Sequence, residues 1–132
     1  MGFDISTQEQ QARAEARWMA YVSDGGELTV HFKIRPRDPQ VVESLNTQYP
    51  PDEVRLRGGR RLESRSEERT TQWNRGYVAA HLEDWDVTQD GVKAPITEET
   101  VACLTASMLI WVIDMTLLDD LRDHEVPAPI PS

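Results

Sequence analysis

The run from Asp86 to Thr97 comes closest to a metal-binding motif in this 132-residue sequence. Asp86, Thr88 and Asp90 place side-chain oxygens at alternate positions, as at the start of a calcium-binding loop. Gly91 stands at the sixth position, which such loops reserve for glycine. The pattern then fails, because the twelfth position is Thr97 rather than the bidentate glutamate that closes the site. We therefore predict a turn built on Asp90 and Gly91, and no metal site.

Residues that act as general acids, bases or nucleophiles are dispersed along the chain. His31, His81 and His124 fall on three different predicted elements, and phosphate-binding, dinucleotide-binding and nucleophile-elbow motifs are absent. We interpret His31 as solvated and His81 as buried and hydrogen-bonded. Cys103, the single cysteine, lies in an apolar run and is interpreted as a small buried residue, with a reactive thiol as the alternative. The sequence thus predicts no catalytic residue, no cofactor and no enzyme, an enzyme built from dispersed residues being the alternative.

The charge of the chain is acidic and unevenly distributed. Its formal net charge is −9, which argues against a nucleic-acid partner because phosphate binding needs clustered cations. From Arg55 to Arg75, however, seven arginines stand against three glutamates, a local excess of +4. We interpret the arginine-rich segment 55–70 as a mobile or helical solvated stretch, with self-association or partner docking as the alternative.

The apolar segments of the chain are short. The longest uncharged run, Thr100 to Ile113, has fourteen residues, whereas a membrane-spanning helix needs about twenty. The first residues lack the apolar stretch of a signal peptide. We therefore expect an intracellular protein with no membrane partner.

Hydrophobic periodicity predicts an α+β fold that is mostly helical, with about four helices and a small β-strand or hairpin element. Leu28 to Ile34 alternates between apolar and polar residues, as in a half-buried strand. Gly58-Gly59 marks a hairpin turn, but the strand that pairs with 28–34 comes either from that region or from another subunit. We expect residues 1–124 to form one domain and residues 125–132 a proline-rich tail. Helices are predicted at residues 6–22, 38–47, 66–84 and 97–120, the first capped by Ser6 and the last with a break near Thr105.

The last predicted helix is apolar on more than one face. It is therefore either the central helix of the domain, or it presents one face to an oligomer or a partner. Its carboxyl end is acidic, where negative charge is unfavourable. The two apolar rows are Val101, Leu104, Met108, Trp111, Met115 and Leu118, and Leu109, Ile110, Val112, Ile113 and Leu117. The partner-binding residues predicted here are Leu109, Val112, Ile113, Met115, Asp119 and Asp120.

A run of short motifs precedes that helix. Trp85-Asp86 is followed by the Asp90-Gly91 turn, then by Pro95-Ile96-Thr97 and the apolar helix. This order, together with an upstream strand that ends in residues 32–36, resembles the tail assembly chaperones of long-tailed, siphovirus-type bacteriophages. The resemblance covers about the last two-thirds of the chain. The arginine-rich stretch 55–69 departs from the pattern.

The resemblance implies a function in phage assembly. Such chaperones bind and solubilise the tape-measure protein, help to recruit tail-tube subunits, self-associate, and act in the host cell cytoplasm. A longer, frameshifted form is also made in many members. Two alternatives remain open at this stage, a structural or connector component of the virion, and an acidic adaptor or inhibitor domain that binds a basic protein.

Overall fold

The computed structural model describes residues 7–130, and in that range the chain has an α+β fold. The predicted class is confirmed, although helix at 42% and strand at 24% make the fold less helical than predicted. The helices are α1 (Thr7–Ala14), α2 (Pro39–Gln48), α3 (Glu67–His81), α4 (Glu98–Val101), α5 (Ala106–Thr116) and a final 3-10 helix (Leu121–His124). The strands are β1 (Arg17–Val22), β2 (Thr29–Ile34), β3 (Glu53–Arg57), β4 (Arg60–Ser64), β5 (Leu82–Trp85), β6 (Thr88–Gln89) and β7 (Val92–Lys93).

Strand β1 corrects the prediction of one long first helix. Helix α1 ends at Ala14, and residues 17–22 form a strand instead of the last turns of a helix. The segment holds two aromatic residues, Trp18 and Tyr21, and β-branched Val22, which fit a pleated, half-buried surface. Antiparallel pairing with β2 then decides the conformation. The predicted cap, Ser6, lies outside the described residues.

The central sheet has three antiparallel strands in the order β1-β2-β5. Both partners of β2 therefore come from this chain, in place of the 54–62 region or another subunit. Met19 pairs with Phe32, which pairs in turn with Trp85, so these three side chains share one face of the sheet. All three are buried, and this face carries the hydrophobic core.

Helices α3 and α5 cover that face of the sheet. The Trp111 ring of α5 lies 5.5 Å from the Tyr21 ring and 6.0 Å from the Phe32 ring, measured between centroids. Val78 of α3 is fully buried in the same core. In residues 7–130, no helix combines the length and the apolar character that crossing a membrane requires.

The predicted break near Thr105 is confirmed, and it separates two helices. Thr97 caps α4 through a capping box with Thr100, and Thr105 caps α5 by accepting a hydrogen bond from the Met108 N–H at 3.2 Å. Helix α5 then ends at Thr116, four residues before the predicted boundary. The chain turns there because the next helical segment begins with its own cap at residue 120.

The predicted Gly58-Gly59 turn is confirmed and joins β3 to β4. Both glycines have positive φ, 59° and 80°, as the first and second turn residues of a type I′ hairpin require. Most of the arginine-rich segment is therefore an exposed hairpin and not a helix, and its last residues, from Glu67, begin α3. We call residues 53–64 the arginine hairpin.

Candidate protein-docking surface

Helix α5 is buried along one side and solvent-facing along the other. Met108, Val112 and Thr116 follow one another at a spacing of four and are buried. On the other side, Ile110 and Leu117 remain 58% and 53% exposed. The helix is thus part of the core on one side and exposes apolar residues on the other, and the binding of a partner to the exposed side stays a prediction.

The four apolar residues predicted to bind a partner do not form one surface. Val112 is fully buried in the core, so it is unavailable to a partner and the prediction is wrong for this residue. Leu109, Ile113 and Met115 are partly buried and pack against the core. Leu109 and Ile113 border the exposed side of α5, whereas Met115, five positions after Ile110, lies toward its buried side.

The exposed side of α5 is centred on residues that the prediction did not select. Ile110, Asp114 and Leu117 stand at positions i, i+4 and i+7 and therefore lie on one helix face. We call these three residues the outer row. Asp114 is exposed and forms no ion pair within residues 7–130. Both apolar members belong to the second row seen in the sequence. Ile110 lies two positions before buried Val112 and Leu117 five positions after it, so helical spacing places both on the side of α5 that faces away from the core.

The two predicted acidic residues behave differently from each other. Asp120 caps the final 3-10 helix by accepting from the Arg122 backbone N–H at 3.0 Å. Its carboxylate also binds the Arg122 guanidinium, which lowers the pKa of Asp120 to about 2. Asp119 is exposed, with no ion pair in the described part of the chain. The predicted crowding of the helix end is therefore wrong for Asp120, which stands at the favourable end of a new helix.

The motif run that carries the family resemblance forms a structural scaffold. Trp85 is buried and its Nε1–H donates to the Ala94 carbonyl at 2.8 Å. Asp86 accepts from the His31 backbone N–H at 2.8 Å, and its other oxygen lies 2.7 Å from His31 Nδ1. Asp90 and Gly91 both have positive φ and turn β6 into β7. These contacts fix β5 beside β2 and close the β6–β7 hairpin.

The histidines were predicted with mixed success. His81 is buried and hydrogen-bonded, as predicted, with Nδ1 2.8 Å from the Tyr77 carbonyl. His31 is half-buried and paired with Asp86, which is 55 positions away in sequence, so the prediction of a solvated ring is wrong. Cys103 is exposed, so its interpretation as a buried residue is also wrong.

The environment of His81 fixes its tautomer. A carbonyl only accepts, so Nδ1 carries the proton, and Nε2 accepts from the Asp38 backbone N–H at 3.0 Å. Burial lowers the pKa of His81 below the usual 6.5, because the charged ring would lose its hydration. His81 is therefore a neutral structural residue that ties α3 to the start of α2.

The groups that could bind a metal do not gather into a site. Among residues 7–130, three or more histidine, cysteine or carboxylate side chains nowhere converge as metal ligands. The calcium-like run is instead occupied by the β6–β7 hairpin, whose Lys93 pairs with Asp84. The absence of a glutamate at its twelfth position agrees with this structure.

The arginine hairpin is anchored at its base. Arg65 donates to the Tyr49 carbonyl at 2.9 Å, and Arg69 donates to the Pro50 carbonyl at 2.8 Å. Asp52 accepts from the Ser66 backbone N–H, a bond that lowers the pKa of Asp52, with Arg69 acting in the same direction. The two strands are exposed along their whole length. The base of the hairpin is therefore fixed to the rest of the fold, and its two strands, which we also call the arm, are not buried by any other described residues.

Comparison of the chain with models of protein families, with curated proteins and with solved structures found no match. The outer row of α5 and the arginine hairpin are two exposed surfaces that could bind a protein partner.

Proposed function

We propose that this protein is a tail assembly chaperone of a long-tailed bacteriophage, which binds the tape-measure protein in the host cell cytoplasm and keeps it soluble. On this proposal it also helps to recruit tail-tube subunits before it leaves the growing tail. The proposal joins the motif resemblance between residues 85 and 97 to a surface that suits an apolar client.

The observation that carries the proposal is the outer row. Ile110 and Leu117 expose apolar area about two helical turns apart, and partly buried Leu109 and Ile113 border them. A tape-measure protein consists of long apolar helices, and a helix that lays apolar side chains at i, i+3, i+4 and i+7 into such a surface is a common recognition mode.

The charge of the chain supports the same role. A net charge of −9 keeps a protein with exposed apolar surface in solution, and it does the same for the complex with a client. The exposed carboxylate of Asp114, between Ile110 and Leu117, also opposes uncontrolled aggregation through the apolar residues of the outer row.

The test is co-expression with the tape-measure protein of the same phage, followed by a solubility assay and a pull-down. We expect the wild-type chain to move the tape-measure protein into the soluble fraction and to co-purify with it. The double variant Ile110→Asp, Leu117→Asp should lose capture by about tenfold or more, because two charges would be desolvated at the contact.

A control for the effect of a single added charge is Val92→Asp on β7, which places one carboxylate at a residue that is 70% exposed and remote in sequence from α5. Capture should be unaffected. An insoluble, unbound tape-measure protein in the presence of wild-type chain would contradict the proposal. Stoichiometric retention in finished virions would favour a connector component, and selective binding to a basic protein would favour an adaptor.

A further inference from the structure

The tip of the arginine hairpin contains an unfavourable pairing. Arg57 and Arg60 stand directly opposite each other across the antiparallel strands, and like charges in that position repel. Within residues 7–130 neither arginine forms an ion pair, whereas Arg55 and Arg61 each pair with a glutamate of the same hairpin. The two guanidinium groups at the tip are therefore the unneutralised charges of the arm.

The face that carries these arginines also has an apolar side chain. Residues paired across the strands share a face, so Arg57, Arg60 and Leu62 project to the same side of the hairpin. Leu62 is 47% exposed. An isolated two-stranded hairpin is marginally stable in water, and arginine is enriched at protein interfaces.

The outer row of α5 complements this face. It places one unpaired carboxylate, Asp114, between the exposed apolar residues Ile110 and Leu117. The hairpin tip offers the opposite arrangement, two unpaired cations beside one apolar side chain. Every residue of β3 and β4 is exposed, so both strands of the hairpin are accessible to a second molecule.

We propose that the arginine hairpin of one copy docks on the outer row of a second copy, with Arg57 and Arg60 around Asp114 and Leu62 against the apolar residues. The contact joins two different surfaces, so it is heterologous. The outer row is also the surface that we propose for the tape-measure protein. Docking of a second copy can nevertheless be tested without any tape-measure protein.

A second copy fits the hairpin better than a nucleic acid does. A phosphate backbone would neutralise the two arginines but would leave Leu62 without an apolar neighbour. The net charge of −9 also opposes a polyanion. The arm is small, with strands of five residues each, and therefore covers only part of the roughly 800 Å² per partner of a stable interface. We expect a weak and reversible association.

The experiment is sedimentation velocity on purified protein over roughly a hundredfold range of concentration. The mass-average of the wild-type chain should rise with concentration. Association should weaken by about tenfold or more for Arg57→Glu, Arg60→Glu and separately for Asp114→Arg. When these two variants are mixed, the intact hairpin of one faces the intact outer row of the other, and the two reversed surfaces also carry opposite charges, so the two variants should associate with each other.

Glu27→Arg controls for general repulsion. Glu27→Arg and Asp114→Arg each change the net charge from −9 to −7. Glu27 is an exposed loop residue with no ion pair in the described range. We expect Glu27→Arg to associate at least as well as wild type, while Asp114→Arg does not. All variants should keep the wild-type circular dichroism spectrum.

Three results would overturn the proposal. These are a wild-type chain that stays monomeric throughout, equal association of Asp114→Arg and Glu27→Arg, and a mixture that gives no heterodimer. A monomeric chain that retards a duplex DNA probe through Arg57 and Arg60 would overturn it in favour of nucleic acid. Failure of tape-measure capture would leave these measurements unaffected, so the two proposals fail separately.

Discussion

His81 links two helices through both of its ring nitrogens. Its protonated Nδ1 donates to Tyr77 within α3, and its bare Nε2 accepts from the backbone of Asp38 at the cap of α2. Protonation of Nε2 would remove the second bond and place a charge in the core. The lowered pKa of His81 follows from that burial, and it makes the stability of the fold depend on pH near neutrality.

We predict that the free energy of unfolding falls as the pH is lowered from 7.5 to 5.5. The unfolded chain takes up a proton at His81 near pH 6.5, while the folded chain, with its lower pKa, takes up that proton only at a lower pH. This stabilisation is full above pH 6.5 and is lost as the pH falls from there through the lower pKa of the folded chain. The carboxyl groups with lowered pKa values, such as Asp120, lose their contributions only at more acidic pH.

Urea denaturation at a series of pH values measures this effect. His81→Gln keeps an acceptor but cannot titrate, so its stability should be lower than wild type at pH 7.5 and should vary less between pH 7.5 and 5.5. His124→Gln is the control, because His124 is exposed, and it should retain the wild-type slope. An unchanged slope in His81→Gln would contradict the assignment.

For individual side chains, the sequence predicted burial and hydrogen bonding only where neighbouring residues in the chain determine them. His81 lies in a helical stripe of aromatic residues, and its burial follows from that spacing. The partner of His31 is Asp86, which only the pairing of β2 with β5 brings near. Cys103 lies in an apolar run, but the break between α4 and α5 turns it to solvent. Contacts set by tertiary structure leave no signal in a single sequence.

The elements were predicted well where their ends carry capping residues. Thr97 and Thr105 are caps that can be read from the sequence, and the Gly58-Gly59 turn is equally explicit. Strand β1 was missed because Ala12, Ala16 and Met19 repeat at helical spacing. Strand pairing then outweighed this local preference, which a sequence alone does not reveal.

Helix α5 should tolerate charge on one side and not on the other. We predict that Val112→Asp unfolds the protein, because a carboxylate would be buried without a partner in the core. Ile110→Asp, two positions earlier, should change the free energy of unfolding by about 0.5 kcal/mol or less, because its side chain faces solvent. Near-ultraviolet circular dichroism and urea denaturation distinguish the two outcomes. Equal losses would show that the outer row is buried.

In the molecule as a whole, the central sheet and the arginine hairpin are held in place by different hydrogen bonds. Strand β5 joins β2 only after the chain has passed through α2, the arginine hairpin and α3. The base of the hairpin is nevertheless closed by its own bonds, since the Asp52 N–H donates to the Ser64 carbonyl at 2.8 Å. Arg65 and Arg69 hold the same base from outside the hairpin. The core therefore does not depend on the arm.

We predict that replacing residues 53–64 with Gly-Gly leaves the domain folded. The free energy of unfolding should change by about 1 kcal/mol or less, because the removed residues are exposed, while self-association should be lost. Arg65→Ala is the contrast, since it removes two hydrogen bonds, to Tyr49 and Asn46, and should destabilise the fold by about 1–2 kcal/mol. Urea denaturation provides the comparison. A globally unfolded deletion variant would contradict the independence of core and arm.

Because the base of the arginine hairpin is closed by hydrogen bonds, the length of the hairpin has little effect on the stability of the core. The entropic cost of closing a loop grows only as the logarithm of the loop length, by about 0.6 kcal/mol for each doubling. Each residue added to both strands extends the hairpin by about 3.3 Å. Related chains can therefore differ in the reach of this arm, and so in the spacing between the molecules it joins, at almost no expense to the stability of the core that bears it.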